Sequence, residues 1–387
     1  MRSLASLACA LALGASAATP PLPASTPAAE GLSAPRFERV REFAAHLVAS
    51  GEYLGVVTLV ARHGRIVDWR AYGHGDLARA AAIKPDAIFR IYSMTKPIAS
   101  VAVLMLMEEG RIASLDDRLS TYLPAFEGRA ATVRHVLTHT SGFAMATEAM
   151  ENAADLKAYL EGAARLPPAT EPGKRFEYNA VNTEIASRLV EVVSGTTFDA
   201  FLRARIFQPL GMRDTSFAVP AEKLPRLAEM TSTDAGGKLV AHAVPDPLRP
   251  YFSGAGGLYS TAADYARFCQ MLLNGGELDG ASILSRKSVD LMLMNHLASL
   301  DPPVAMPNKA EGFGLGGYVV LDVAGRGGLG SAGAFGWAGA GSTYFIVDRA
   351  EKLVAILMTQ HIARGLTNDP QKPSARFYNL VYQSLVK

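Results

Sequence analysis

Residues 90–100 read RIYSMTKPIAS. Whether Ser93 and Lys96 form a catalytic pair or an ordinary helix start decides how the rest of the chain is read. Pro97 is at home in the first turn of a helix, where its missing N–H is not needed. Residues 98–107, IASVAVLMLM, are apolar on nearly every face, so this helix is expected to be buried. Ser93 would then stand at the N-terminus of a core helix, with Lys96 one turn on and facing the same way. Free N–H groups and the positive end of the helix dipole favour a developing oxyanion there. Burial disfavours an ammonium ion, so a lysine in that place can accept a proton. Such conditions activate a serine without histidine. The alternative is an N-cap serine followed by a surface lysine, and the stretch alone does not separate the two. Nor is the pattern rare, since Ser384 and Lys387 in QSLVK repeat it at the C-terminus, where no site is expected.

Two further stretches bear on the choice. PGKRFEYNAVNTEIASRLVEVVSG (172–195) puts Tyr178 after a Pro-Gly turn and before a helix. GAFGWAGAGSTYFIVD (333–348) runs a Gly-rich loop into a strand. A phenol near an ammonium ion can be held as phenolate and act as a general base. A strand led by Trp337, Ala338 and Gly339 could lay its backbone along a substrate, with the Ala340 N–H completing an oxyanion hole. Taken singly, Tyr178 reads as a packed core tyrosine and the Gly-rich stretch as a loop.

In combination the order S-x-x-K, tyrosine motif, then a W-x-G strand resembles the penicillin-recognising serine hydrolases. More closely, the chain resembles the family VIII carboxylesterases, which are themselves similar to class C β-lactamases. FRIYSMTKPIASVAVLMLMEEGRIASLDD, VRHVLTHTSGF, FSGAGGLYSTAADYARF and FGWAGAGSTYF carry the resemblance, over roughly residues 40–385. It implies a β-lactamase/DD-peptidase fold of the α/β (α+β) type. It also implies Ser93 as nucleophile, Lys96 and Tyr178 as general base, and the backbone N–H groups of Ser93 and Ala340 as oxyanion hole. Trp337, Gly339 and Asn179 are the expected substrate-binding residues, with no metal and no cofactor. Two departures from the β-lactamase pattern stand out. Ala180 replaces the asparagine of Y-x-N, and Trp337 replaces the lysine of K-T-G, a cation able to bind a β-lactam carboxylate. A pocket lacking both polar contacts should favour small neutral esters over anionic amide-like substrates. The expected activity is therefore cleavage of short-chain carboxylic esters, with weak β-lactam turnover. A class C-type β-lactamase, an acyltransferase or peptidase on the same scaffold, and a non-catalytic penicillin-binding sensor are the alternatives.

Other constellations are weaker. There is no G-x-S-x-G elbow for a Ser-His-Asp hydrolase. His139 in THTSG lies in a turn motif and reads as structural. His135 and His139 are four apart, but Val136 breaks the H-E-x-x-H zinc motif.

The chain is 49% hydrophobic and 19% charged, a globular composition with a large core. Its net charge of +2 offers no basic field for nucleic acid. Residues 1–17 read as a secretory signal peptide and 18–38 as a Pro/Ala/Ser linker, which predicts a periplasmic or secreted protein with no stable membrane anchor. Cleavage would leave Cys269 as the sole cysteine, so no internal disulfide is available. Within the hydrolase domain at 39–385, β-rich runs at 54–73 and 342–360 each read as a hairpin, and the pattern between them is largely helical. This predicts one antiparallel sheet built from about 39–92 and 312–387, flanked by helices, with a mainly helical region at about 97–311. A small-molecule ester is the expected partner, bound in the cleft where the two regions meet.

Overall fold

The computed structural model describes residues 21–243 and 251–386; the expected signal peptide at 1–17 lies outside the described residues. Strands β1 (Gly55–Arg62) and β2 (Arg65–Gly73) pair antiparallel around His63 and Gly64, whose φ values of 52° and 77° make the tight turn. The other five strands of the sheet come from the C-terminal part. They are β3 (Glu311–Phe313), β4 (Tyr318–Val320), β5 (Phe335–Gly339), β6 (Thr343–Asp348) and β7 (Leu353–Met358). All seven form one antiparallel sheet in the order β2-β1-β7-β6-β5-β4-β3, so the two chain ends meet at the β1–β7 pairing.

Every residue of β1, β6 and β7 is buried, as expected for a sheet covered on both faces. Period-two alternation divides their side chains between two cores. Val56, Val60, Ile346, Leu353, Ala355 and Leu357 face helices α1 (Ala34–Ala49) and α5 (Ser374–Gln383). Leu59, Phe345, Val347, Val354, Ile356 and Met358 face the larger core, which includes α2 (Thr95–Glu108), α3 (Ala180–Ser194) and α4 (Ala262–Leu273). That core runs without a break from the sheet into the helical region. The latter also holds three two-stranded ribbons, one of which pairs Phe89–Arg90 with Tyr259–Ser260.

One expectation is corrected. Residues 22–38 are not a free linker. Leu22 and Leu32 are buried, Ala24 bridges Ile66, and the Ser33 N–H donates to the Ser384 carbonyl at 2.7 Å. Ser33 then caps α1, which starts at Ala34. The composition of the segment is linker-like, but two well-spaced leucines bind it to the sheet edge and the C-terminal helix.

Candidate active site

Ser93 lies in a single 3-10 turn, Tyr92–Met94, that runs straight into α2. Tyr92 has φ 42°, a left-handed conformation that is costly for a side chain of this size and is retained only where surrounding packing enforces it. Here Gly256 and Gly341 lie so close to Tyr92 that a Cβ on either would touch it. The strain presents Ser93 at the start of a helix buried from Thr95 to Leu106.

Lys96 is 3% exposed. Its Nζ lies 3.2 Å from Ser93 Oγ and donates to the Ala255 carbonyl at 2.7 Å. It also lies over the Tyr178 ring, 4.8 Å from the centroid. The helix start thus holds an amine in contact with the serine hydroxyl, the surface-lysine alternative being excluded by burial.

Tyr178 is not a packed core tyrosine, because it is 39% exposed. Its hydroxyl accepts a hydrogen bond from Trp337 Nε1 at 3.3 Å, and the two rings pack at 5.2 Å. On another side stands His139, buried, with its ring 4.6 Å from that of Tyr178. Burial, and secondarily the Lys96 charge, push the His139 imidazole well below its ordinary pKa, so it stands neutral. The Asn182 amide lies 3.2 Å from His139 Nδ1, and Phe313 packs against both His139 and Trp337. His139 is therefore part of the wall that fixes Tyr178. His135 lies elsewhere, capping the short helix Val133–Leu137.

The third motif meets the first edge-on. A Cβ on Gly339 would overlap the Ile91 carbonyl oxygen, so glycine is what lets β5 lie against the segment preceding Ser93. Ala340 begins the turn beyond β5. Among the described residues, neither the Ser93 nor the Ala340 N–H donates to a carbonyl of a turn or loop. Asn179 does not present its amide to the cleft: it is buried, accepts from the Asn182 N–H as N-cap of α3, and donates to the Phe143 carbonyl. Its role is to start the helix behind Tyr178. Gly339 likewise contributes close packing, and Trp337 is more than an apolar wall because its indole N–H is engaged with Tyr178.

Sequence reasoning missed Ala255, whose carbonyl holds Lys96, and Glu184, buried in α3, whose carboxylate accepts from Ser253 Oγ and from the Gly254 N–H at 3.1 Å. A buried acidic residue six positions after Tyr178 carries no signal of its own. The glycines of FSGAGGL, which mark a loop pressed against its neighbours, were the available hint.

A family model described as Beta-lactamase matches residues 40–369. Protein Rv1367c of Mycobacterium tuberculosis is 31% identical over 357 residues, 81% of this chain and 87% of that protein. Esterase EstB of Burkholderia gladioli is 29% identical over 358 residues, 81% of this chain and 88% of its own length. Among solved structures, EstCE1, a hydrolase with promiscuous acyltransferase activity, superposes with a TM-score of 0.77 at 22% identity, covering 91% of this chain and 98% of that one. At that identity the likeness speaks for the fold, and the antiparallel sheet with its helical flanks is the one expected from the motifs.

Proposed function

The chain belongs to the beta-lactamase family of serine hydrolases, and on that premise we propose that it is a carboxylesterase acting on short-chain, neutral esters. The observation that carries this reading is the contact between Lys96 Nζ and Ser93 Oγ at 3.2 Å, made by an amine removed from solvent. Ser93 Oγ attacks the ester carbonyl carbon as its proton passes to Lys96 Nζ. Negative charge gathers on the former carbonyl oxygen, which the N–H groups of Ser93 and Ala340 receive. The C–O bond to the alcohol then breaks as the leaving oxygen takes up the proton by way of the Tyr178 hydroxyl. Water adds to the acyl-Ser93, yields its proton to the same base pair, and the acid departs with the serine hydroxyl restored.

Support for an ester rather than a β-lactam comes from Trp337. Where a cation would hold a substrate carboxylate, this protein has an indole packed among Tyr178, Phe313 and Tyr318. Its one polar atom is directed at Tyr178, where it can steady a phenolate without offering a charge to the substrate. The test is a side-by-side rate on a butyrate ester and a chromogenic cephalosporin, with Ser93→Ala as control. Fast ester and slow cephalosporin cleavage, both lost in the variant, are expected; the reverse preference would make the protein a β-lactamase.

Export belongs to the same proposal. It rests on the character of residues 1–17. Among the described residues no helix is long and apolar enough to cross a membrane. Fractionation with mass spectrometry of the mature N-terminus tests it: recovery of an uncleaved chain in the cytoplasm would overturn it.

A further inference from the structure

The two residues proposed to share the Ser93 proton reach the site from different elements, yet both are tied to one helix. Tyr178 directly precedes α3, and Asn179 caps that helix. Glu184 lies on α3, buried, and its carboxylate accepts from Ser253 Oγ and the Gly254 N–H. The next residue, Ala255, supplies the carbonyl that takes an N–H of Lys96 at 2.7 Å. We propose that Glu184 is a positioning residue: by clamping the loop Ser253–Gly257 onto α3, it aims the Lys96 amine at Ser93. This rests on the reading of Lys96 as the proton acceptor.

The loop has little freedom of its own. A Cβ on Gly254 would overlap Ser187 Oγ, one turn beyond Glu184 on α3, and a Cβ on Gly257 would press on Phe217 and the Ser253 carbonyl. Beyond it, the Leu258 N–H donates to Thr95 Oγ1 at 3.3 Å, tying its far end to the first turn of α2. Glu184 fixes the near end. The chemistry explains why a fixed carbonyl matters. In the proton-accepting form that the proposed function requires, the Lys96 amine has two N–H bonds and one lone pair. When one N–H is committed to Ala255, rotation about the Cε–Nζ bond is restricted and the lone pair can be held towards Ser93 Oγ. A carbonyl displaced by about 1 Å would release that orientation, and misplacement on that scale costs up to about 10²-fold in rate. Ester binding should be untouched, since the Glu184 carboxylate is buried and bonded to Ser253 and Gly254.

The experiment is a double-mutant cycle read as steady-state ester hydrolysis and as the rate of Ser93 acylation by a fluorophosphonate, with Tm recorded for each variant. Glu184→Gln keeps the size and replaces the carboxylate that Ser253 and Gly254 face with an amide. Its kcat and acylation rate should fall about 10- to 100-fold with KM within about twofold, the scale set by misorientation. In a Lys96→Ala background the same substitution should change the residual acylation rate by less than about twofold, because nothing remains to be aimed. Loss of the same factor in both backgrounds would overturn the inference in favour of a purely structural carboxylate, as would an unchanged kcat in Glu184→Gln. If Lys96→Ala by itself retained full rate, the reading of Lys96 as base would fall first, and the inference with it. Should Glu184→Gln not fold, Ser253→Ala takes its place in the cycle; it removes one anchor and leaves the Gly254 N–H, so a smaller loss with the same dependence on Lys96 is expected.

Discussion

Two places in this chain carry a serine followed three residues later by a lysine, and they sit at opposite ends of their helices. Ser93 precedes α2, so its N–H belongs to the positive end of the dipole, and Lys96 lies in the first buried turn. Ser384 follows α5, where the helix presents carbonyls. Its hydroxyl donates to the Val381 carbonyl at 2.5 Å and its own carbonyl accepts from Ser33. Lys387 lies outside the described residues. Ser384 is fully buried and Ser93 half-buried, and among the described residues only Ser93 has an amine on its hydroxyl, a strained residue before it and a Gly-rich strand end beside it. The spacing is the same; helix polarity and what is packed over the turn separate the proposed nucleophile from a cap.

The strongest attempt to break that contrast is Ser93→Ala. Hydrolysis of a butyrate ester should fall to background while Tm stays within about a degree of the parent or rises, because Ser93 is half-buried and replacing a polar active-site group commonly leaves stability unchanged or higher. Residual turnover above background would mean that the chemistry lies elsewhere. Next in size, Lys96→Ala and Tyr178→Phe should each lower kcat/KM by at least about 10²-fold, the usual scale for loss of a general base. Near-parental turnover in a folded Tyr178→Phe protein would remove the phenol from the mechanism and leave Lys96 as sole acceptor.

Much of this was legible beforehand, for reasons particular residues make plain. The hairpins were visible because β-branched runs flank His63-Gly64, and because β7 is apolar throughout and β6 is apolar between Thr343 and Asp348. Burial of Lys96 could be expected because its helix is apolar on nearly every face, but its pairing with Ser93 is favoured over an ordinary helix start only with the tyrosine and W-x-G stretches beside it. Residues 22–38 misled because proline and alanine dominate their composition, whereas their docking depends on Leu22, Leu32 and backbone hydrogen bonds to distant strands. Asn179 misled in a related way. Its neighbour Tyr178 faces the cleft, yet the helix that follows claims the amide as a cap. Glu184 was invisible because its partners lie some 70 residues away in sequence, and nothing local marks a carboxylate that will meet them.

A smaller effect is expected at the ring beside Tyr178. Trp337→Phe keeps a ring against Phe313 and Tyr178 but removes the indole N–H that reaches the phenol oxygen. A hydrogen bond of this kind contributes about 0.5–1.5 kcal/mol, so kcat should fall about 2- to 10-fold with little change in KM. A rise in KM with unchanged kcat would instead make Trp337 a substrate wall and leave Tyr178 to be steadied by Lys96 and His139.

The smallest change in rate is expected at the other serine, and it completes the contrast. Ser384→Ala removes a hydroxyl that is fully buried and bonded to the last turn of α5, beside the backbone bridge between Leu32 and Leu385. Losing that bond should cost about 1 kcal/mol of stability, because the Val381 carbonyl keeps the Ser384 N–H and is not left orphaned. Ester hydrolysis at a temperature well below the melt should be unchanged within experimental scatter. Thermal melts and initial rates on the two alanine variants then form a crossed pair: one loses activity and keeps stability, the other loses stability and keeps activity. A rate defect in Ser384→Ala would mean that the C-terminal helix is coupled to the cleft through the sheet, and polarity of the helix end would no longer suffice to tell the two serines apart.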